Sequence, residues 1–537
     1  MKLVYTVVTS VAIATTAALS CLAEKAEAAT FRAGQNPKNV GLTTSQGVAA
    51  MKADIARELY GVDGSGILVG VISDSFNNLG GADSDVASGD LPPGIKVLQD
   101  YPGGASDEAR ALMQVIYDVA PGVNFAFHTP SVTPSINQAE YANAIVKLAD
   151  AGARIIVSDV GDIFDPMFQD GIVAQAIDSV VSRPGASAVA YFAAAGNDNR
   201  WSYESPYNPS GVIEPLSGSE FHDFDPGPGV DTFQKLTIPA GSEVGFIFQW
   251  DSPFASVSGG AGSPNDLNIL LYDSTGTNVL ASSTESNVGK DPAEFFSFLN
   301  EESTSEFNLA ISKNTGPNPG LMKYVVSRAG TDFKIDEFDT ASGTIFGIPN
   351  TKGVMAVGAA SYLETPVFGI DPARVQSSSS AGGTPILFDT DGNRLLSPEI
   401  RRQPRIVGPD NVNTTFFGGA DIPEDPDDFP NFAGTSAAAP HVAAVAALML
   451  QANPNLSPAE IYKILEETAL DMDDPSTPGF DVGFDFATGY GLIQADRALS
   501  RVLKTVPEPS SALGLLTFGA LSAFCLQKRN LKKGEEL

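Results

Sequence analysis

Ser436 stands in Gly434-Thr435-Ser436, just ahead of a run of mostly small apolar residues, AAAPHVAAVAALML. A serine there opens a predicted helix, where free backbone N–H groups and the positive end of the dipole can hold a developing oxyanion. Pro440 is read as part of that helix's first turn, where proline is tolerated. A nucleophilic serine also needs a base to take its proton. The chain holds three histidines, His128, His222 and His441, and none falls where such a base is expected. The segment SDEARALM sets Asp107 and Glu108 at the start of another predicted helix. A carboxylate accepts the serine proton only while ionised, and a reference pKa of about 4.3 makes it a weak base at neutrality. Burial or a second nearby carboxylate would raise that pKa.

The elements that must carry these residues follow from periodicity. Gln46 to Tyr60 has helical apolar spacing, and ILVGVIS is a fully apolar run of the kind buried in a parallel sheet, ending at Asp74. A Gly/Asp-rich loop follows, then a helix capped by Ser106 with Leu112, Val115, Ile116 and Val119 on its apolar face. NFAFH reads as a strand, Ile136 to Asp150 as a helix, ARIIVSD as a strand, Gly171 to Ser182 as a helix and AVAYFAAAGN as a strand. This alternation predicts an α/β fold, a doubly wound and mostly parallel sheet with its site at the strands' C-terminal ends. Asp74, Asp159 and Asn197 each stand at such an end.

Beyond Trp201 the helical periods vanish, and short segments such as DTFQKLTI, VGFIFQW, LNILLYD and KYVVSRA are separated by Gly, Pro, Ser and Asn. They predict an inserted all-β, sandwich-like domain at 211–340. It divides a catalytic-type domain into 60–210 and 341–503, behind an N-terminal segment at 29–59. GVMAVGAAS and QPRIVGP resume the strands, and LSPAEIYKILEETA is read as the final helix.

The motifs together resemble the subtilisin/sedolisin superfamily of serine peptidases. GTSAAAPHV is similar to the nucleophile motif, GSGILVGVISDS to the strand carrying the aspartate, DVAPG to the turn after the base helix, and YFAAAGN to the strand ending in the oxyanion-hole asparagine. The resemblance implies a subtilisin-like fold and an endopeptidase acting on protein or peptide substrates. It casts Ser436 as nucleophile, Asp74 as supporting acid and Asn197 as oxyanion donor. Where subtilisins carry a histidine motif at the base helix, this chain has SDEARALM. Sedolisins use Glu as base, and Glu108 matches that role, with Asp107 its nearest competitor. The supporting Asp that sedolisins hold one helical turn later is Leu112 here, and Asn197 replaces their oxyanion-hole Asp. Asp159 is expected to line the groove. The competing reading is an inactive protease fold that binds partners through the β insert.

An excess of 64 acidic over 32 basic residues, net charge -32, excludes a nucleic-acid partner, which needs clustered Lys and Arg. It suits an extracellular protein. Residues 1–28 read as a signal peptide with an Ala26-Glu27-Ala28 cleavage pattern. Residues 504–537 place Pro507-Glu508-Pro509 before a 16-residue apolar stretch and basic residues, resembling a PEP-CTERM sorting signal. That resemblance implies exosortase-type processing machinery, transient membrane association and a secreted or cell-surface location. The only cysteines, Cys21 and Cys525, lie in these end signals, so the body has no disulfide. Relatives that bind calcium in loops make calcium the cofactor to consider, with FDVGFDFATGYG and DMDDPSTPGFD rich in oxygen donors. No EF-hand spacing is present and no ligands are assigned.

Overall fold

The computed structural model describes residues 41–505 apart from 216, 302, 420–424 and 426. The signal peptide at 1–28 and the Pro-Glu-Pro motif with its apolar stretch at 507–526 lie outside the described residues. The continuous apolar runs form a seven-stranded sheet in the order Lys96–Gln99, Asn124–His128, Leu68–Ile72, Ile155–Ser158, Ala190–Ala194, Val354–Ser361, Ile406–Asp410. Every neighbouring pair is parallel. Such strands carry no polar face because helices cover both sides. The helices Glu108–Val119 and Thr435–Ala452 pack on one face, and Gln138–Asp150 and Ile172–Val181 on the other. The α/β doubly wound class expected from the alternation is the one observed.

The Ser436 helix, Thr435–Ala452, is long and apolar enough to cross a membrane, but it is buried inside this protein. Its alanines let it lie directly on the sheet: a Cβ added at Gly408 would come within 2.5 Å of Ala438 O. Pro440 falls in the second turn of this helix rather than the first. Lacking an N–H, it cannot bond the carbonyl of Ser436, four residues earlier.

Three local expectations are corrected. Ser106 does not cap the Glu108 helix; the cap position is Asp107, in the left-handed region at φ 61°. The Gly/Asp-rich loop contains the helix Ala82–Ser88 and the edge strand Lys96–Gln99, whose four exposed residues carry no burial pattern to read. Pro458–Thr468 is followed by one more helix, Ala495–Thr505, whose Leu499 and Val502 join the main core.

Antiparallel strands run from Ser202 to Ile335 in two sheets. One has the order Ala293–Leu299, Glu243–Trp250, Met322–Ser327, Ser202–Ser205. The segment VGFIFQW is buried on both faces because both are covered. Phe246, Phe248 and Trp250 enter the sandwich core, whereas Ile247 and its neighbour Val325 meet Met167, Phe168, Leu387 and Phe388 of the α/β domain. Polar latches complete this contact. Gln249 Nε2 donates to Asp165 O at 2.9 Å and its Oε1 accepts from Met167 N at 2.8 Å. In return, Gln169 Oε1 accepts from Phe254 N at 2.9 Å.

A buried hydroxyl ties helix Pro458–Thr468 to the central sheet. Tyr462 Oη accepts from Tyr191 N at 2.7 Å and lies 3.0 Å from both Tyr191 O and Gly353 O. Tyr462→Phe would strand the Tyr191 N–H in the core, and is expected to lower unfolding free energy by about 1–3 kcal/mol in a denaturant titration.

Candidate active site

Asp74 follows the strand Leu68–Ile72 and spends its carboxylate on backbone. It accepts from Ser75 N at 2.5 Å, Ser106 N at 2.7 Å, Ser106 Oγ at 2.6 Å and Glu108 N at 2.9 Å. These donors include the first free N–H of the Glu108 helix, so Asp74 serves as its cap from a different element. Asp107 is fully buried and faces elsewhere. Its oxygens accept from Ser75 Oγ at 2.8 Å, Asn78 N at 2.6 Å and Leu79 N at 2.9 Å, and Arg110 lies 3.4 Å away. That leaves Glu108 as the acid at the helix start that meets Ser436.

The half-buried Glu108 carboxyl lies within interaction range of the Ser436 hydroxyl and the Asp159 carboxyl. Burial pushes its pKa above the usual glutamate range and the Asp74 charge adds to the rise, while the bonds from Asp159 and Ser436 oppose it. Asp159, at the end of strand Ile155–Ser158, is pushed well above the aspartate range. Burial is the largest cause, then the Glu108 charge, with Ser73 Oγ donating to Oδ2 at 3.1 Å in opposition. Asp159 Oδ1 is buried and meets no N–H or O–H donor. Two carboxyls in hydrogen-bond contact need a proton between them, so the pair holds one proton over the range where an isolated pair would hold none.

Asn197 ends the strand Ala190–Ala194 by three residues and faces the same point. Its Oδ1 accepts from Thr435 N at 3.0 Å and Thr435 Oγ1 at 3.2 Å, so Nδ2 is left as a donor. The Ser436 N–H, in the first turn, has no intrahelical acceptor. Gly434 makes this approach feasible. Its φ of 85° and ψ of −177° are glycine territory, and a Cβ there would lie 3.0 Å from both amide heteroatoms of Asn197. Its N–H donates at 2.7 Å to Asp410 Oδ2, a buried acid that burial pushes up to about 7 and that no sequence pattern marked. The site can therefore supply a hydroxyl, a carboxyl base with a partner, and two N–H donors at one point.

The histidines are occupied elsewhere. His441 Nδ1 donates to Ala437 O at 2.8 Å, which makes Nε2 the acceptor of the Ser45 hydroxyl at 2.7 Å. His222 lies in the sandwich core against Tyr203 Oη and Asn208 N, each at 3.0 Å, and burial lowers its pKa to about 4. His128 bonds Thr129 O at 2.7 Å. Of the oxygen-rich loops, Asp474 pairs with Arg200 at 2.7 Å, and Asp485 accepts from Ala487 N and Thr488 N, each at 2.7 Å. Among the described residues no three His, Cys, Asp or Glu side chains converge as a metal set.

The profile of the subtilase family matches residues 102–491, more than half of the chain. The chain belongs to the subtilase family. This subtilase is 34% identical over 155 residues to fervidolysin of Fervidobacterium pennivorans, covering 28% of the chain and 19% of that protein. It is 30% identical over 196 residues to a calcium-dependent protease of Trichormus variabilis, covering 34% and 28% respectively. It thus spans well under half the length of these curated relatives. The structure of the Clostridium perfringens CspB protease superposes with a TM-score of 0.51 at 16% identity, over 86% of this subtilase and 99% of that chain, a likeness of fold. In this subtilase Gly434→Ala would force a side chain into a glycine-only conformation against Asn197. The expected loss is about 1–3 kcal/mol of unfolding free energy, read by denaturant titration.

Proposed function

We propose that this subtilase is an exported serine endopeptidase in which a carboxylate takes the place of the histidine base. The observation that carries the reading is the placement of the Glu108 carboxyl against the Ser436 hydroxyl and the Asp159 carboxyl. Ser436 Oγ attacks the peptide carbonyl as its proton passes to Glu108, and the oxyanion is met by Asn197 Nδ2 and the Ser436 N–H. Glu108 then returns the proton to the leaving amine, and water repeats the sequence on the acyl-enzyme. Asp159 is the positioning partner of Glu108, sharing its proton. Asp74, cast from sequence as that partner, acts at one remove: it fixes the backbone of Glu108 and contributes its charge. Protein or peptide chains are the substrates. The two end segments support export to the cell surface or medium, transient membrane association and processing by exosortase-type machinery.

A fluorophosphonate probe is expected to label Ser436, and Glu108→Gln to slow labelling by about 10²–10⁴-fold. Absence of labelling at any pH would favour the inactive scaffold instead.

The pH dependence follows from the raised Glu108 pKa. The base must be ionised, so kcat/KM falls as pH drops through a value above the usual ~4.3 of glutamate. Asp159→Leu removes a donor that stabilises the ionised Glu108, so the acid limb should move to higher pH. Asp159→Asn keeps a donor and should leave the limb nearer its original place. A pH–rate profile of the two variants checks this.

A further inference from the structure

A cavity of about 200 Å³ opens beside Ser436 and Asn197. Two of its wall residues, Ile247 and Ser327, come from adjacent strands of the β insert rather than from the α/β domain. Val160, Ile163, Phe346 and Ile348 give it apolar sides. Four carboxyls line it, Asp159, Asp162, Asp165 and Asp198, and no Lys or Arg does.

These four carboxyls are not equivalent. Asp159 is engaged with Glu108. Asp162 accepts from Phe164 N at 3.1 Å and from Gln138 Nε2 at 2.8 Å. Asp165, only 3% exposed, takes a backbone hydrogen bond from Ile348, and Asp198 takes one from Arg328. Neither has an ion-pair partner among the described residues. The Arg328 side chain is 75% exposed and its guanidinium lies 4.0 Å from Glu243. Burial pushes Asp165 up to about 8 and the partly exposed Asp198 up to about 7, and no cation stands beside either to offset the rise. A long apolar stem with a cationic tip matches such a lining: the stem lies along the apolar sides and the tip supplies the missing charge.

The insert also holds the acid in place. Gln249, two residues after Ile247 on the same strand face, bonds the backbone of Asp165 and Met167. The insert therefore both closes the cavity and fixes the loop that carries its most buried carboxyl.

We propose that the β insert is a working part of the substrate cleft. It walls the cavity beside Ser436, and this cavity receives the lysine or arginine side chain of the residue whose carbonyl is attacked. The inference rests on Ser436 being the nucleophile, so the test separates the two. Two fluorogenic peptides differing only in Lys or Leu before the cleaved bond are compared, alongside labelling by a small uncharged fluorophosphonate. The Lys peptide should be favoured about ten- to hundredfold in kcat/KM, the range of a charge-assisted hydrogen bond. Asp165→Asn or Asp198→Asn should remove most of that preference through KM. Ser327→Lys, which sets a cation into the cavity from the insert, should do the same in a protein of unchanged melting temperature. Labelling of Ser436 with equal or better cleavage after Leu would overturn the cationic subsite and leave the nucleophile standing. A preference unaffected by Ser327→Lys would overturn the role of the insert. No labelling and no cleavage would remove both readings.

Discussion

Two carboxyls set side by side away from water cannot both be ionised. Glu108 and Asp159 are placed that way, and the surrounding structure can be read as the means of bringing them together. One stands at a helix start, the other at a strand end, and neither element touches Ser436 by sequence proximity. A shared proton resolves the repulsion and leaves one carboxylate oxygen for the Ser436 hydroxyl. Asp74 makes the geometry durable. Its four hydrogen bonds weld the loop after its own strand to the first turn of the Glu108 helix, so Glu108 cannot drift from the strand ends.

Ser436 is held by the opposite means, an absence of bulk. Alanines and glycines let the Ser436 helix settle against the strand Ile406–Asp410, and Gly434 lets the chain turn beneath Asn197. Such packing leaves little room for variation, because interiors at crystal-like density register the addition of a single methyl group. The same economy serves a body without disulfides, whose order rests on the cores on the two faces of the parallel sheet, the sandwich core and the latched contact between the domains.

The insert shows how one strand can serve two domains. Alternate residues of Glu243–Trp250 go to different cores, the aromatic ones to the sandwich and Ile247 with Gln249 to the α/β domain. A sheet with one solvated face would read as alternating apolar and polar. This strand buries Ile247 and Gln249 on its second face, and that double burial is the local trace of a domain interface.

The α/β class, the strand ends that bear Asp74, Asp159 and Asn197, and the placement of Ser436 at a helix start are all legible in the order of the residues. These follow from local periods and short motifs, which act over a few residues. That order also sets Glu108 beside Asp107 without separating them, because both occupy the same turn and share one composition. Only the tertiary structure decided between them. Asp107 is turned into the loop at 75–79, and Glu108 alone meets the serine. The structure likewise sets Asp159, rather than Asp74, side chain to side chain with Glu108. It also brought Asp165, Asp198 and the insert's Ile247 and Ser327 to one cavity. Such pairings join residues far apart in the chain, and no local pattern records them. They exist because crossovers, helix packing and domain contact bring strand ends together in space.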